Sequence, residues 1–582
     1  MKNVFKRMMA AMLILAMVLS LAACGGKAEP AETPDAPNQP EVDKQTQAVA
    51  FDPKTFTEGV TLTIAVEADD EVIDWETNLV TKIIEDKFGV NLDFEVYPAD
   101  GFADKLNVMI NGGDRLPDII FSDHNTHGLR DYQTNWVAAG AILELNEFYS
   151  NPDYCSNINT EMEKLGVDVV SMLKDADGKI WSFPKYLTAL NDACAYKLWI
   201  NTEYAKAVGF DEIPNTTDGF FELCKAFAAA GDVNGNGLDD EVPFTGRGDK
   251  LNWFKMLMAP FAYAWDDNVL EVENGKLSFA YTTDGWKDGL KYIKKFFDEG
   301  IIDTTVLTQD KLGYNAIVQN PEAVVLADIY YRPEMVHSDA TEQNKIYLKY
   351  DFVEALVGPD GNAASYYADI VANPGAMITV DCENPEAAFI ILDYMCSEYI
   401  SICNRYGAEG VDWDYYENVD SSKFGPGRSK ETQLARDGEL PLFCYYRADY
   451  WGKGNPQNQG YMQNGPAILY NDDVGVAMTG GKTPEEEVLI AWTTRFQKES
   501  INAVFAKKPE ERIVRLPMTA EETESVAETQ KVLDNYWKQA VGKFLTGEWD
   551  IDADWDTYLA ELEKMGLSDA LATYQISYDR TK

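Results

Sequence analysis

The 582-residue chain is poor in histidine, with three in all, and two of these, His124 and His127, form an HxxH that lacks the glutamate of HExxH. That scarcity argues against a zinc carrier and against a Ser-His-Asp hydrolase, and no GxSxG occurs to supply a nucleophile elbow. The eight cysteines include no CxxC pair, so neither a zinc site nor a disulfide framework is indicated. "GGKT" at 480–483 has Val476 where a phosphate loop requires glycine, and Thr483 with Glu486 reads better as a helix-capping box. Repeats of 20–50 residues are absent, which excludes solenoids, propellers and a repeat-built adhesin. Basic residues are scarce too. Fifty Lys and Arg against 97 Asp and Glu leave a formal charge of −47, which repels nucleic acid and anionic lipid surfaces.

What is present begins with an address. "MKNVFKRMMAAMLILAMVLSLAACGGK" carries Lys2, Lys6 and Arg7, an apolar run too short to span a membrane comfortably, and small residues, the order of a secretory signal. Its end, Leu21-Ala22-Ala23-Cys24, resembles the lipobox of bacterial lipoproteins, which implies a signal peptide over 1–23 and a lipid on the Cys24 thiol. The other seven cysteines are expected to be mostly buried thiols. Residues 25–50 hold four prolines and no aromatic, so 24–50 read as a disordered tether, which by chain statistics sets the folded part about 30 Å from the lipid.

Folded sequence opens with "VTLTIAVEAD", where Val60, Leu62, Ile64 and Val66 alternate as in a strand. A helix ending at Gly89, a second strand, a helix at about 102–111 and the apolar "IIF" of 119–121 follow, predicting parallel α/β structure with ligands at the carboxyl ends of the strands. Beyond this the pattern turns helical. "TTDGFFELCKAFAAAG", "TTDGWKDGLKYIKKFFDEGI" and "NPEAAFIILDYMCSEYISI" each pair an N-cap candidate with helical apolar spacing.

Three stretches give a family resemblance. "NGGDRLPDIIFSD" (111–123), "DGKIWSFPKY" (177–186) with "KLWINTEYAKAVGFDEIPNTTDGFFEL" (197–223), and "RYGAEGVDWDYYE" (405–417) with the C-terminal "FLTGEWDIDADWDTYLAELEKMGLSDALATYQISYDR" resemble extracellular solute-binding proteins of carbohydrate ABC importers, the maltose-binding type, in its long lipoprotein branch. The resemblance implies a two-lobe α/β fold of the periplasmic-binding-protein type II class, hinged around a cleft. It places the first lobe at 51–190 plus about 370–405 and the second at 191–369 plus about 406–582. It further implies a monomeric, lipid-anchored receptor on the outer face of the cytoplasmic membrane, which hands an oligosaccharide to permease subunits. Carried over by position, Glu67, Asp123 and His124 line the first lobe's cleft edge. Trp265, Tyr330, Tyr331 and Arg332 line the second, and Glu409 and Trp413 fall near the last hinge crossing.

The sharpest chemical pattern is "DVNGNGLDDE" at 232–241. Asp232, Asn234 and Asn236 set oxygens at loop positions one, three and five, Gly237 permits the turn, Leu238 offers a carbonyl, and Asp240 follows at nine. Pro243 stands where an EF-hand needs its twelfth-position Glu, so Glu241 must supply the last ligand and a helix–loop–helix sensor is excluded. The resemblance agrees, implying structural Ca2+ away from the sugar, against a solvated Asx-rich turn. Two other functions stay open: a surface glycoside hydrolase, which needs two carboxylates at a set separation, and a solute-binding protein for peptides or another polar solute.

Overall fold

A computed structural model describes residues 51–68, 72, 74–98, 101–121, 135–187, 193–238, 240–248, 251–266, 268–318, 324–330, 349–419, 442–445, 464–470, 475–477 and 499–582. The signal segment, Cys24, the tether, Asp123, His124, Tyr331, Arg332 and the Thr483–Glu486 box lie outside them. Asp52–Lys582 form one compact unit, and no described helix is long and apolar enough to cross a membrane.

The strands in chain order are β1 (Thr61–Glu67), β2 (Asn91–Tyr97), β3 (Ile119–Phe121), β4 (Phe183–Leu187), β5 (Lys197–Asn201), β6 (Glu241–Phe244), β7 (Leu270–Glu273), β8 (Lys276–Phe279), β9 (Val324–Tyr330), β10 (Tyr350–Val353), β11 (Asn373–Ile378), β12 (Trp413–Tyr415), β13 (Phe443–Tyr445), β14 (Ala467–Leu469) and β15 (Gly475–Ala477). The expected opening forms. β1 pairs in parallel with β2 and β3, and the helix between, Leu79–Phe88, is capped by the Asn78 side chain accepting from Val80 N and ended by Gly89 at φ 68°. The three helical stretches appear as Thr217–Ala230, Asp284–Asp298 and the pair Pro385–Met395 and Glu398–Tyr406. Thr216 and Thr283 cap the first two through their hydroxyls.

Two sheets organise the chain. The first runs β14-β4-β11-β3-β1-β2 and the second β10-β5-β9-β6. In the first, β11 is antiparallel to both neighbours while the other five strands share one direction. In the second, β5 is the reversed strand. The chain therefore leaves β4 at a carboxyl edge and enters β5 at the edge where β6, β9 and β10 end. It returns from β10 to β11 between the same two edges.

The second sheet shares its core with the C-terminal helices Ala520–Thr546, Trp555–Lys564 and Leu567–Asp579. Tyr281 stacks on Trp537 at 5.8 Å, Trp286 meets Trp537 edge-on at 5.7 Å, and each ring so buried contributes about 1.5–3 kcal/mol. A capping box at Thr519 and Glu522 starts the 27-residue helix, and Arg580 pairs with the same Glu522 carboxylate.

One strand pairs across the expected lobe boundary. Ala467–Leu469, expected in the second lobe, is an edge strand of the first sheet, in register with Lys185–Leu187 of β4. Trp413, Phe443 and Tyr470 pack with Tyr406, Ile402 and Ile83 beside it. Pairing of strands more than 280 residues apart leaves no local trace in sequence.

The Ser156–Leu165 helix has no cap of its own at Cys155, and Asp393 from Pro385–Met395 supplies one. Its carboxylate accepts from Asn157 N at 3.0 Å, Asn157 Nδ2 at 2.7 Å and Ile158 N at 2.9 Å. Burial pushes this carboxyl up to about 6, with the three donors acting in the opposite sense. The folded protein thus keeps a proton on Asp393 between about pH 4 and 6 that the unfolded chain releases, and this group's contribution to stability falls as pH rises through that window. We predict that Asp393→Ala, which orphans the helix amides, costs about 2–4 kcal/mol in denaturant melts. Asp393→Asn removes the pH-dependent part, seen as a difference curve against the unaltered protein between about pH 4 and 6.

Candidate functional site

Where the two carboxyl edges meet the crossing segments, aromatic rings gather. Tyr196 directly precedes β5, and its ring stacks on Trp265 at 5.4 Å with 11° between planes. Tyr366, on the return crossing, meets Tyr196 edge-on at 4.8 Å and Trp265 at 4.9 Å. Lys255 Nζ sits 5.9 Å from the Trp265 ring. Trp265 is 8% exposed, and its indole Nε1 has no hydrogen-bond partner among the described residues. Tyr263 OH donates to Tyr367 O at 3.2 Å, burial pushes its phenol pKa up, and Ala368 N donates to Ala193 O at 2.9 Å, tying the two crossings together. Trp265 is part of the second sheet's core, with its indole N–H enclosed, whereas Tyr196 and Tyr366 are half-buried against it, and partly open rings of this kind suit a ligand with apolar C–H faces.

The predicted site residues separate into three places. Tyr330 ends β9 in register with Lys197, beside this cluster, and Lys197 is buried. Glu67 lies on the other sheet, at the carboxyl end of β1 in register with Tyr97, and is buried at 6% exposure. Glu409 and Trp413 are elsewhere. Glu409 is exposed in the turn after Glu398–Tyr406, and Trp413 is wholly buried, its Nε1 donating to Gly407 O at 2.8 Å and its ring packed against Tyr415 and Phe443. Trp413 therefore presents no face to a ligand, contrary to the expectation, because the pattern that marks an aromatic for a cleft also marks one for a core. Tyr196 and Tyr366 went unmarked. Their signal was position, an aromatic immediately before a strand and a Tyr366-Tyr367 pair between strands.

The 232–241 loop is curled by its own side chains. Asp232 accepts from Asn236 N at 2.9 Å and Gly237 N at 2.8 Å, Asn234 Oδ1 accepts from Asn236 N at 2.9 Å, and Asn236 Oδ1 accepts from Leu238 N at 2.7 Å. Gly235 and Gly237 take φ of 76° and 82°, open to glycine at little cost. Asn236 Nδ2 donates toward Asp240 at 3.3 Å, and Glu241 Oε1 accepts from Val233 N at 2.5 Å. Glu241 Oε2 is buried without a hydrogen-bond partner among the described residues. The donor set is of hard oxygens, as calcium requires, and the orphaned carboxylate oxygen lacks a positive partner. Among the described residues, though, no three Asp, Glu, His or Cys groups are drawn together tightly enough to hold a metal. None of the seven described cysteines is in a disulfide; six are buried and Cys382 is half-buried.

Comparison with known proteins bears on the family and the fold. A family model described as bacterial extracellular solute-binding protein matches residues 74–398. The fructooligosaccharide ABC transporter substrate-binding protein FusA of Streptococcus pneumoniae serotype 4 is 26% identical over 588 residues, covering 98% of this chain and 97% of its own. Its structure in complex with kestose superposes with a TM-score of 0.66 at 24% identity, over 90% of this chain and 99% of that one. An EF-hand mutant of FusA in complex with fructo-nystose superposes at 0.65, with 23% identity and the same coverage. These likenesses establish two lobes of the solute-binding type.

The placement of Trp413 predicts a separation of effects. Trp413→Phe lowers stability by about 1–2 kcal/mol in thermal or urea melts and leaves solute affinity within about twofold by calorimetry.

Proposed function

The chain belongs to the bacterial extracellular solute-binding protein family, and we propose that it captures an oligosaccharide between its lobes and delivers it to an ABC permease. The observation that carries the reading is the convergence of the half-buried rings of Tyr196 and Tyr366, packed on Trp265, on the edge where the chain passes between sheets. Fructooligosaccharides are the first ligands to test, by analogy with the relative that spans the whole chain. Aromatic faces cover the C–H faces of the sugar, buried polar groups such as Glu67 and Lys197 meet its hydroxyls, and closure of the lobes excludes water. The permease then draws on the closed, loaded form.

The first lobe takes residues 51–190 and about 370–477, and the second 191–369 and 499–582. The receptor is a monomer that binds without turnover and is held to the outer face of the membrane by lipid on Cys24, one chain of which anchors only marginally. By the family resemblance alone, we propose that Asp123, His124, Tyr331 and Arg332 also contact the solute. Asp232, Asn234, Asn236, the Leu238 carbonyl, Asp240 and Glu241 would hold structural Ca2+, which would neutralise three carboxylates in one loop. Glu241, the first residue of β6, accepts from Val233 N and so ties that strand to the loop, bracing the sheet that ends at the aromatic cluster.

Two experiments test this. Calorimetry with kestose is expected to show saturable binding, with a stabilisation of about 2.7 kcal/mol at a hundredfold excess over Kd and no monosaccharide released. Released fructose would make the protein a hydrolase, and stabilisation by peptides but by no oligosaccharide would overturn the sugar reading. For the metal, a chelator is expected to lower Tm in the unaltered protein and to have no effect in Glu241→Ala. Protein that purifies without calcium and melts identically with and without chelator would contradict the loop assignment.

A further inference from the structure

The third passage between the lobes, residues 499–519, is tied down differently from the other two. Along its length it is welded to the second crossing. Ser365 N donates to Lys507 O at 3.1 Å and Ser365 Oγ to Val504 O at 2.5 Å. Arg512 makes a two-pronged pair with Asp369, Nε to Oδ2 at 2.9 Å and Nη2 to Oδ1 at 2.7 Å, and lies 4.9 Å from the centre of the Tyr367 ring. A planar guanidinium against a carboxylate on one side and a ring on the other fixes orientation as well as distance.

Three residues further on, Arg515 turns to the first lobe. Its Nη1 donates to Met172 O at 2.9 Å and lies 3.3 Å from Ser171 O and 3.4 Å from Lys174 O. These carbonyls close the short 3-10 helix Ser171–Leu173, whose other end is held by Asp168 accepting from Ser171 N and Oγ. Terminal helix carbonyls are orphans that a cationic side chain satisfies well. Met172 faces the same junction, where its Sδ accepts from Ala372 N at 3.3 Å.

Four residues after Arg515, Thr519 caps the helix Ala520–Thr546, whose Leu533 and Trp537 are buried in the core of the second sheet. Four residues span at most about 14 Å when fully extended. The passage is therefore held in the second lobe at Thr519 and in the first lobe at Arg515, with at most about 14 Å of chain between the two anchors. A rotation of one lobe against the other must either carry the Arg515 contact or break it.

On the two-lobe reading above, we propose that Arg515 is a latch: its contact with the 171–174 carbonyls holds the described spacing of the lobes and sets how readily the binding cleft changes width. Arg515 is a positioning residue, acting on the solute only through the lobes. Arg512 keeps the passage aligned so that Arg515 meets its carbonyls.

The test needs no ligand, so it is independent of which solute is bound. Spin labels on Val108→Cys and Leu312→Cys, exposed at 64% and 77% on the two lobes, report the interlobe distance by pulsed electron resonance. Burial pushes the native thiols up, Cys194 to about 11 and Cys382 to about 12, and slows their labelling; Cys382→Ser removes the half-buried one. The parent is expected to give one narrow distance. Arg515→Ala is expected to broaden the distribution and shift its mean by several ångströms, and Arg515→Lys, which retains a cationic donor, to restore most of the narrowness. A purely local role would lower Tm and leave the distances unchanged, and superimposable distributions for Arg515→Ala and its parent would overturn the proposal. Should Arg515→Ala fail to fold, Arg515→Gln, which keeps the stem and removes the charge, is read by the same criteria.

Discussion

One reversed strand in each sheet governs the rest of the molecule. Because β11 opposes β3 and β4, the chain must enter it at the edge where β4 leaves, and β5 plays the same part in the second sheet. Buried backbone amides have to be paired, so these ladders cannot slide without orphaning them and turning core residues to the wrong face. Two crossings are thereby pinned to facing carboxyl edges, and the side chains at those edges become the walls of whatever lies between. The aromatic cluster at Tyr196, Trp265 and Tyr366 stands there because topology brings it there.

The parts of the second lobe divide the mechanical work. The C-terminal helices give its sheet a dense aromatic floor, with Trp286, Trp537, Tyr281 and Tyr558 fully or nearly fully buried. On the far side of Thr217–Ala230 the 232–241 loop turns the chain from that helix into β6. Its chemistry is conspicuous, and it enters β6 at the strand's first residue, the edge opposite the carboxyl edge where the crossings attach, which fits a brace rather than a solute site. The third passage adds stiffness of another kind, in which two arginines of an acidic protein are used to bind a carboxylate and a set of helix-end carbonyls. Moving lobes and rigid interiors are compatible because the motion is confined to such short segments.

Much of the fold was readable wherever local pattern coincides with structure. The alternation of Leu62, Ile64 and Val66, the stop at Gly89, the "IIF" strand and the caps Thr216 and Thr283 all stand in the structure where periodicity and capping chemistry put them. The failures are equally physical. β14 is three residues long and pairs with β4 across some 280 residues, a contact no local pattern encodes. Trp413 and Trp265 look alike in sequence, each an aromatic beside acids, and both are buried; only packing shows that one is sealed behind Gly407 and Phe443 while the other carries the half-buried Tyr196 and Tyr366 of the crossings. The capping box at Thr519 and Glu522 went unmarked although it has the Thr-x-x-Glu spacing read at Thr483 and Glu486, and its pairing with Arg580 ties it to the C-terminal helices.

The central claim is that two lobes hinge on these passages and close on a sugar. Small-angle X-ray scattering of the full mature chain during a kestose titration tests it most directly. The account predicts that the radius of gyration falls, saturably, along the binding curve measured in parallel by calorimetry. Saturated binding with an unchanged radius of gyration would contradict it.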